Sequence, residues 1–190
     1  MDALTGTIVR LERLRPEHED ALWEASRDPR TWQWLSFVQP QTRDEWRAWM
    51  EDALGGENQR SFATVVRGVV RGSTRFLNMR PHDRSVEIGW TWLHPDAWGT
   101  GANIEAKYLL LEHAFEQMGL LRVEFKTDAQ NERSRAALAA LPAQFEGVHR
   151  KHMIVRDGER RDSAWYSVLD DEWPEVKANL QRRLAARGGA

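Results

Sequence analysis

Residues 94–103 read HPDAWGTGAN, and they join a predicted strand that ends at Leu93 to a predicted amphipathic helix. Gly99 and Gly101 let the main chain approach a ligand without an intervening Cβ atom. The backbone N–H groups in the first turn of the helix have no intrahelical partner, and the helix dipole favours an anion there. The stretch therefore predicts either a binding site for an anion such as pyrophosphate or a tight turn with a purely structural role.

Two common phosphate-binding loops do not fit this stretch. A mononucleotide loop needs Gly-Lys-Ser or Gly-Lys-Thr, whereas Gly101 is followed by Ala102 and Asn103. The dinucleotide fingerprint needs a third glycine where the chain has Ile104, and it belongs after the first strand of its fold. The neighbouring residues must therefore identify the ligand.

Hydrophobic periodicity and turn residues on both sides of the stretch predict a mixed α/β fold with the order β-α-α-β-β-β-α-β-α-β-β-α. Thr42 and Glu45 form a capping-box pattern at the start of the second helix, which we expect to stop before Gly55. The predicted strands cover 7–11, 61–66, 69–78, 86–93, 122–127, 145–155 and 164–169, and the predicted helices cover 16–27, 42–54, 104–118, 131–141 and 172–187.

The bulk composition indicates one soluble domain. The chain has 190 residues, of which 41% are hydrophobic, and we expect a single domain over 1–190 with an ordered core over about 5–184. The tail 188–190 is expected to fray. A formal charge of −2 gives no overall field for nucleic acid or an anionic membrane, and no apolar run is long enough to span a bilayer. The N-terminal residues show no signal-peptide pattern, so we expect a cytoplasmic protein.

The cysteine, histidine and tryptophan content limits the possible catalytic groups, metal sites and interfaces. The chain has no cysteine, which excludes a thiol nucleophile. His149 and His152 lie three apart on a predicted strand, where they would face opposite sides, so no metal site is predicted. Ten tryptophans suit cores, binding clefts and subunit interfaces alike, which leaves homodimer formation open.

Several stretches at matching spacing resemble the GNAT acetyltransferases, and within them the bacterial ribosomal-protein N-terminal acetyltransferases. The resembling stretches are Glu87-Ile88-Gly89-Trp90, 93–103 with Glu105-Ala106, Asn131-Glu132-Arg133-Ser134 and Asp170-Asp171-Glu172-Trp173. The resemblance implies a GNAT-like sheet, mixed and mostly antiparallel, flanked by helices. In that fold the strand before the Gly-rich turn and the strand 122–127 splay apart around the pantetheine arm of acetyl-CoA.

The resemblance also implies how acetyl-CoA, the acyl donor, would bind without a metal. Backbone groups near Leu93 would bond the pantetheine arm and the thioester. The pyrophosphate would lie in a cradle formed by the backbone of Trp98, Gly99, Thr100, Gly101, Ala102 and Asn103. Asp96 stands where many members have Gln or Arg, so help from a side chain at that position is in doubt.

Glu87 matches a strand position that serves as general base in some family members. A primary ammonium must lose a proton before it can attack a thioester, so a positioned carboxylate suits the task. The alternative is that Glu87 faces solvent or pairs with an arginine such as Arg84 or Arg122.

Asn131 and Ser134 begin a predicted helix. In the resembling branch, Asn131 would hold the pantetheine amides, and Ser134 would lie near the sulfur and protonate the leaving thiolate. Many relatives use a tyrosine later on this helix, where the chain has Leu138. The alternative for Ser134 is an ordinary residue that caps its own helix.

The family geometry puts the acceptor opposite the CoA arm. Candidates to line its site are Trp32, Trp34, Phe37, Arg75 and Tyr166, with core packing as the alternative for each aromatic residue. The implied reaction is direct transfer of acetyl to a primary amine, either a protein N-terminus or a small amine. A CoA-binding sensor or scaffold without transferase activity is the alternative function.

Overall fold

Within residues 2–188, which the computed structural model describes apart from the side chain at position 157, the chain forms an eight-stranded sheet surrounded by helices. The strands are β1 (Ala3–Thr5), β2 (Val9–Arg13), β3 (Arg60–Val66), β4 (Val69–Arg80), β5 (Ser85–Leu93), β6 (Arg122–Asp128), β7 (Gln144–Val155) and β8 (Glu159–Leu169). The helices are α1 (Glu19–Ala25), α2 (Arg43–Gly55), α3 (Ala102–Glu112), α4 (Glu132–Ala140) and α5 (Trp173–Gly188). Residues 189 and 190 of the tail expected to fray lie outside the described residues.

The strands lie side by side in the order β1-β2-β3-β4-β5-β6-β8-β7, and all neighbours are antiparallel except β5 and β6. One core packs α3 and α5 against the sheet through residues such as Leu110 and Leu180. A second, tryptophan-rich core packs α1 and α2 against it through residues such as Trp46 and Trp92. The prediction of a mixed, mostly antiparallel sheet flanked by helices is confirmed. No helix among residues 2–188 combines the length and the apolar character that crossing a bilayer would require.

Some element boundaries differ from the prediction. β1 was not predicted, because three residues are too few to show an alternating pattern. β8 begins at Glu159 instead of 164, because its first four residues are all charged and charged residues are depleted in strands. The capping box of Thr42 and Glu45 is present, but α2 continues through Gly55.

Glu105 in α3 holds the turn between β1 and β2. Its buried carboxylate accepts hydrogen bonds from the backbone N–H groups of Thr7, Ile8 and Val9, at distances of 2.8, 2.6 and 2.5 Å. Gly6 leaves the room that this carboxylate needs, since a Cβ atom there would lie 2.4 Å from Glu105 Cδ. The contact ties the start of the sheet to the helix that follows the Gly-rich turn.

Lys107 extends from α3 toward the sheet between β5 and β6. Its Nζ donates a hydrogen bond to Thr91 Oγ1 on β5 at 2.9 Å, and it lies 5.6 Å from the ring centroid of Phe125 on β6. The residue as a whole is half-buried. Burial disfavours the charged form and lowers the pKa of Lys107 to about 7.

We predict that Glu105→Gln lowers the free energy of unfolding by about 2 kcal/mol, because an amide accepts through one oxygen only and leaves buried N–H donors unsatisfied. Denaturant unfolding measures the change. The matched control is Glu51→Gln, an exposed glutamate on α2, which should stay within about 0.5 kcal/mol of the wild type. Equal stabilities of the two variants would contradict the proposed role of the Glu105 contacts.

A second prediction concerns the pH dependence of stability. The unfolded chain holds a proton on Lys107 up to a pKa of about 10.4, whereas the folded chain releases it near pH 7. The folded state therefore binds fewer protons between these values, and the contribution of Lys107 to stability increases as the pH rises through that window. Lys107→Met removes this effect, so the melting temperature of the variant minus that of the wild type should fall between pH 6.5 and pH 9.5.

Thermal melts across this pH range test the prediction, with Lys151→Met as the control at an exposed lysine. The control should show a difference from the wild type that does not change with pH. A constant difference for Lys107→Met would show that its ammonium is not desolvated in the folded state.

Candidate active site

The gap between β5 and β6 forms the centre of the candidate site. The two strands pair over only three residues each, ending at Glu87 and Glu124. β5 then bends at Trp90, whose φ of 50° lies in the left-handed region, while β6 stays paired with β8 as far as Asp128. The predicted splaying of the two parallel strands is therefore confirmed, and it opens the sheet near its middle.

A cleft of about 540 Å³ occupies this gap. The predicted site residues that line it are Glu87, Leu93, Trp98, Gly99, Gly101, Asn103, Asn131 and Ser134. Thr100 and Ala102 do not line it. The Thr100 hydroxyl instead donates a hydrogen bond to the Ala97 carbonyl at 2.7 Å and accepts one from the Ala102 N–H at 3.3 Å. Most of the residues singled out from the sequence thus meet in one place.

The Gly-rich turn exposes backbone donors at one end of the cleft. Gly99 and Gly101 have φ angles of 75° and 93°, in the left-handed region that favours glycine, and α3 starts at the next residue. Among the described residues, no acceptor pairs with the backbone N–H groups of Asn103 and Ile104. This end of the cleft can therefore bind an anion through the main chain.

Three arginines that the sequence analysis did not single out surround the same end. Arg133 stacks on the ring of Trp98 at 3.8 Å, and Arg187 donates to the Gly99 carbonyl. Arg183 donates to the Ala140 carbonyl at 2.7 Å, and all three line the cleft. The four-residue spacing of Arg183 and Arg187 on one helix was a signal for a basic face, but only the packing of α5 brings that face to the Gly-rich turn.

The lining of the cleft is strongly basic although the chain carries a net charge of −2. Its charged residues are Arg30, Lys107, Lys126, Arg133, Arg161, Arg183 and Arg187, against the single carboxylate of Glu87. Positive charge is thus concentrated locally, which suits a ligand with several phosphate groups.

Asp96, the departure from the family pattern, does not line the cleft. Its carboxylate pairs with Arg71 Nε on β4 at 3.1 Å. The negative charge at this position is therefore compensated by Arg71.

Glu87 is a buried carboxylate with one free oxygen. Its side chain is 1% exposed, and its Oε2 accepts hydrogen bonds from Asn78 Nδ2 at 2.8 Å and Lys126 Nζ at 3.1 Å. Its Oε1 has no hydrogen-bond partner within residues 2–188. Glu87 does not face solvent and does not pair with Arg84 or Arg122, which contact Gly119 and two other glutamates. Its ion-pair partner is Lys126.

Asn131 and Ser134 meet the cleft at the start of α4. Asn131 Oδ1 accepts a hydrogen bond from the Ser134 backbone N–H at 3.0 Å, so Asn131, and not Ser134, caps the helix. The Ser134 hydroxyl makes no hydrogen bond to another described residue and lines the cleft. Leu138 is buried on the same helix.

Of the five residues expected to line the acceptor site, only Trp34 lines the cleft. Trp32 is buried, stacks on Trp92 and donates through Nε1 to the Ser26 carbonyl at 2.7 Å. Phe37 lies behind the lining residue Trp90, with ring centroids 4.4 Å apart.

The two polar candidates do not line the cleft either. Arg75 is 1% exposed and donates through Nη1 to Asp52 at 2.7 Å. Tyr166 is buried in the core, and its hydroxyl accepts from Arg135 Nε at 3.1 Å. Both belong to β-strands whose alternation directs them into the protein interior, which the sequence pattern alone does not distinguish from a cleft.

The expectation that His149 and His152 face opposite sides of their strand is wrong. They lie on the same side of β7, with ring centroids 5.6 Å apart, and both pack against Trp165. A register shift between His149 and Met153 and a φ of 50° at Lys151 break the strict alternation of the strand. Among residues 2–188, no group of three or more His, Cys, Asp or Glu side chains is placed to hold a metal ion.

Known proteins with a similar sequence or structure agree with the fold described above. The family model described as Acetyltransferase (GNAT) domain matches residues 9–143. The Bacillus subtilis (strain 168) protein YdaF, whose name contains the words ribosomal N-acetyltransferase, is 28% identical over 180 residues, which cover 89% of this chain and 95% of that protein.

Two crystal structures share the fold over almost the whole chain. One from T. thermophilus has 42% sequence identity and a TM-score of 0.90, with 97% of each chain covered. A GCN5-related N-acetyltransferase from Brucella melitensis has 33% identity and a TM-score of 0.90, with 95% of this chain and 84% of that chain covered. The family match, these relatives and the splayed sheet lead to one conclusion: the chain belongs to the GNAT family and is an acetyl-CoA-dependent acetyltransferase.

Proposed function

We propose that this acetyltransferase moves the acetyl group of acetyl-CoA directly onto a primary amine, with both substrates bound at the same time. The observation that carries the proposal is the buried Glu87 carboxylate, which lines the cleft and keeps one oxygen free. A free carboxylate oxygen at the splayed strands can accept the proton that an ammonium must lose before it attacks. No residue of the protein needs to become acetylated.

The donor half of the cleft would hold acetyl-CoA. The free N–H groups of Asn103 and Ile104, with Arg133, Arg183 and Arg187 around them, suit the pyrophosphate and the remaining phosphate. The pantetheine arm would run through the gap between β5 and β6, where Leu93 and Asn131 offer backbone and amide groups.

The chemical step would proceed from the neutral amine. Its nitrogen attacks the thioester carbonyl carbon, a C–N bond forms, and the C–S bond breaks to release the CoA thiolate. Glu87 takes the proton that the ammonium loses before the attack, while Lys126 and Asn78 hold its other oxygen in position. The nitrogen loses a second proton as the amide forms. We propose that a backbone N–H near Leu93 stabilises the oxyanion and that the Ser134 hydroxyl relays this second proton to the thiolate, giving up one proton and regaining one.

The acceptor is either a protein N-terminus or a small amine. The B. subtilis relative carries the words ribosomal N-acetyltransferase in its name, and 28% identity over most of both chains makes the amines of ribosomal proteins, N-termini among them, acceptors to test for this chain. The alternative, a CoA-binding sensor or scaffold, predicts binding of acetyl-CoA without release of thiol. The free oxygen of Glu87 favours the enzyme.

Binding of acetyl-CoA should raise the melting temperature of the wild type, since a ligand at a hundred times its Kd stabilises by about 2.7 kcal/mol. Arg183→Met should weaken acetyl-CoA binding about tenfold, because a charge-assisted contact to phosphate is removed. The matched control is Arg182→Met, the neighbouring exposed residue that does not line the cleft. Isothermal titration measures both affinities, and equal Kd values for the two variants would contradict the proposed cradle.

Glu87→Gln should lower kcat at least about a hundredfold, because the amide cannot accept the proton of the ammonium. The thermal shift produced by acetyl-CoA should persist in this variant. Release of free thiol from acetyl-CoA, in a screen of peptides and small amines, measures the activity.

The control for this experiment is Glu124→Gln, which lies opposite Glu87 in the strand register but binds Arg80 and Arg122 outside the cleft. This variant should retain the activity of the wild type. Full activity in Glu87→Gln would refute its role as base. Binding of acetyl-CoA without thiol release for every amine would instead favour the sensor or scaffold.

A further inference from the structure

Arg161 is a buried cation without a protein partner. The residue is 7% exposed and lines the cleft, yet none of its guanidinium nitrogens donates a hydrogen bond to residues 2–156 or 158–188, and Nε is fully enclosed. A buried charge without a compensating partner is costly, so buried arginines are normally paired with an anion. The position of Arg161 therefore points to an anionic group on a ligand.

Arg161 lies on the same side of the sheet as Glu87. In β8, Arg161, Ser163 and Trp165 alternate onto one side, and the ring centroid of Trp165 lies 5.3 Å from Lys126 Nζ. The same Nζ donates to Glu87 Oε2 at 3.1 Å. Lys107 approaches the gap from α3, on the other side of the sheet. Arg161 and the proposed base Glu87 therefore share one side of the sheet, which Lys107 does not reach.

The two cations nearest to Arg161 have ion-pair partners, whereas no ion pair joins Arg161 to a described side chain. Lys126 is compensated by Glu87 at 3.1 Å, and Arg156 is compensated by Asp128 at 3.5 Å and by Glu159 at 2.8 Å. Burial lowers the pKa of Arg161, and the nearby Asp128 counteracts this effect only from a distance. Of these three cations, Arg161 is thus the one without a direct ion-pair partner.

His152 adds no charge that would change this balance. Burial lowers its pKa, and the nearby cations Lys126 and Arg161 and the ring of His149 lower it further. The lowered pKa favours the neutral imidazole of His152, although Glu87 acts in the opposite direction, and its Nδ1 shares a hydrogen bond with Ser163 Oγ at 3.0 Å.

We infer that the acceptor carries a carboxylate beside its amine, and that Arg161 binds this carboxylate while Glu87 faces the amine. This inference rests on the proposed function and names its substrate class. A guanidinium can bind a carboxylate through two parallel N–H···O bonds, which fixes the orientation of the acceptor as well as its affinity. The carboxylate belongs either to the α-carboxyl group of a free amino acid or to an acidic side chain near a peptide N-terminus.

Two sets of matched acceptors distinguish these sources. The first set compares free amino acids with their α-amides. The second compares C-terminally amidated peptides that have Asp or Glu at position 1 or 2 with the same peptides carrying Asn or Gln. A site built around a charged partner discriminates strongly against an analogue that lacks it, so kcat/KM should be at least about thirtyfold higher for the carboxylate member of one set.

Three variants assign the preference to Arg161. Arg161→Met should abolish the discrimination by raising the KM for the carboxylate acceptor, with the KM for acetyl-CoA and the acetyl-CoA thermal shift unchanged. Arg161→Lys keeps the charge, should restore part of the preference, and provides the test if the methionine variant fails to fold. The control is Arg160→Met, the adjacent exposed arginine outside the cleft, which should behave as the wild type.

The outcomes separate this inference from the function on which it rests. Equal rates with the carboxylate and amide members of both sets would overturn the inference alone, since transferase activity would be demonstrated. Unchanged discrimination in the Arg161 variants, or a raised KM for acetyl-CoA only, would also overturn it. Thiol release with none of the acceptors would overturn both.

Discussion

The early end of the pairing between β5 and β6 is the constraint on which the site depends. β6 cannot leave the sheet, because β8 holds it along its length, and β5 turns away at Trp90. The backbone groups that face the gap consequently have no strand to pair with, and buried backbone groups require partners. An extended ligand that offers amides of its own satisfies this requirement. The splayed pair therefore selects a flexible, amide-bearing molecule over a compact one.

The separation of β5 from β6 also gives the cleft two sides with different charged groups. The cradle end combines free N–H groups with the arginines of α4 and α5, which suits phosphate groups. The opposite side pairs Glu87 with Lys126 and leaves Arg161 without an ion-pair partner among the described side chains. The chain has a net charge of −2, yet its arginines and lysines are concentrated around the cleft.

Sequence patterns predicted those features of the site and fold that neighbouring residues determine. The glycines of the turn, the capping box at Thr42 and the helix start at Asn131 are each set by residues within a few positions. Features that depend on distant packing were not predictable. Arg183 reaches the cradle only because α5 docks there, and Arg75 is held inside by Asp52 from another element. His149 and His152 share a side because of a bulge that the sequence alone does not reveal.

The contact between α5 and the Gly-rich turn has a consequence during synthesis of the protein. Arg187 donates to the Gly99 carbonyl although it follows that residue by 88 positions in the chain, and Arg183 lines the same end of the cleft. On the ribosome, a nascent chain that has exposed β5, α3 and β6 still lacks these arginines. Acetyl-CoA can therefore stabilise the completed fold, but it cannot act as a full template for folding until α5 has left the exit tunnel.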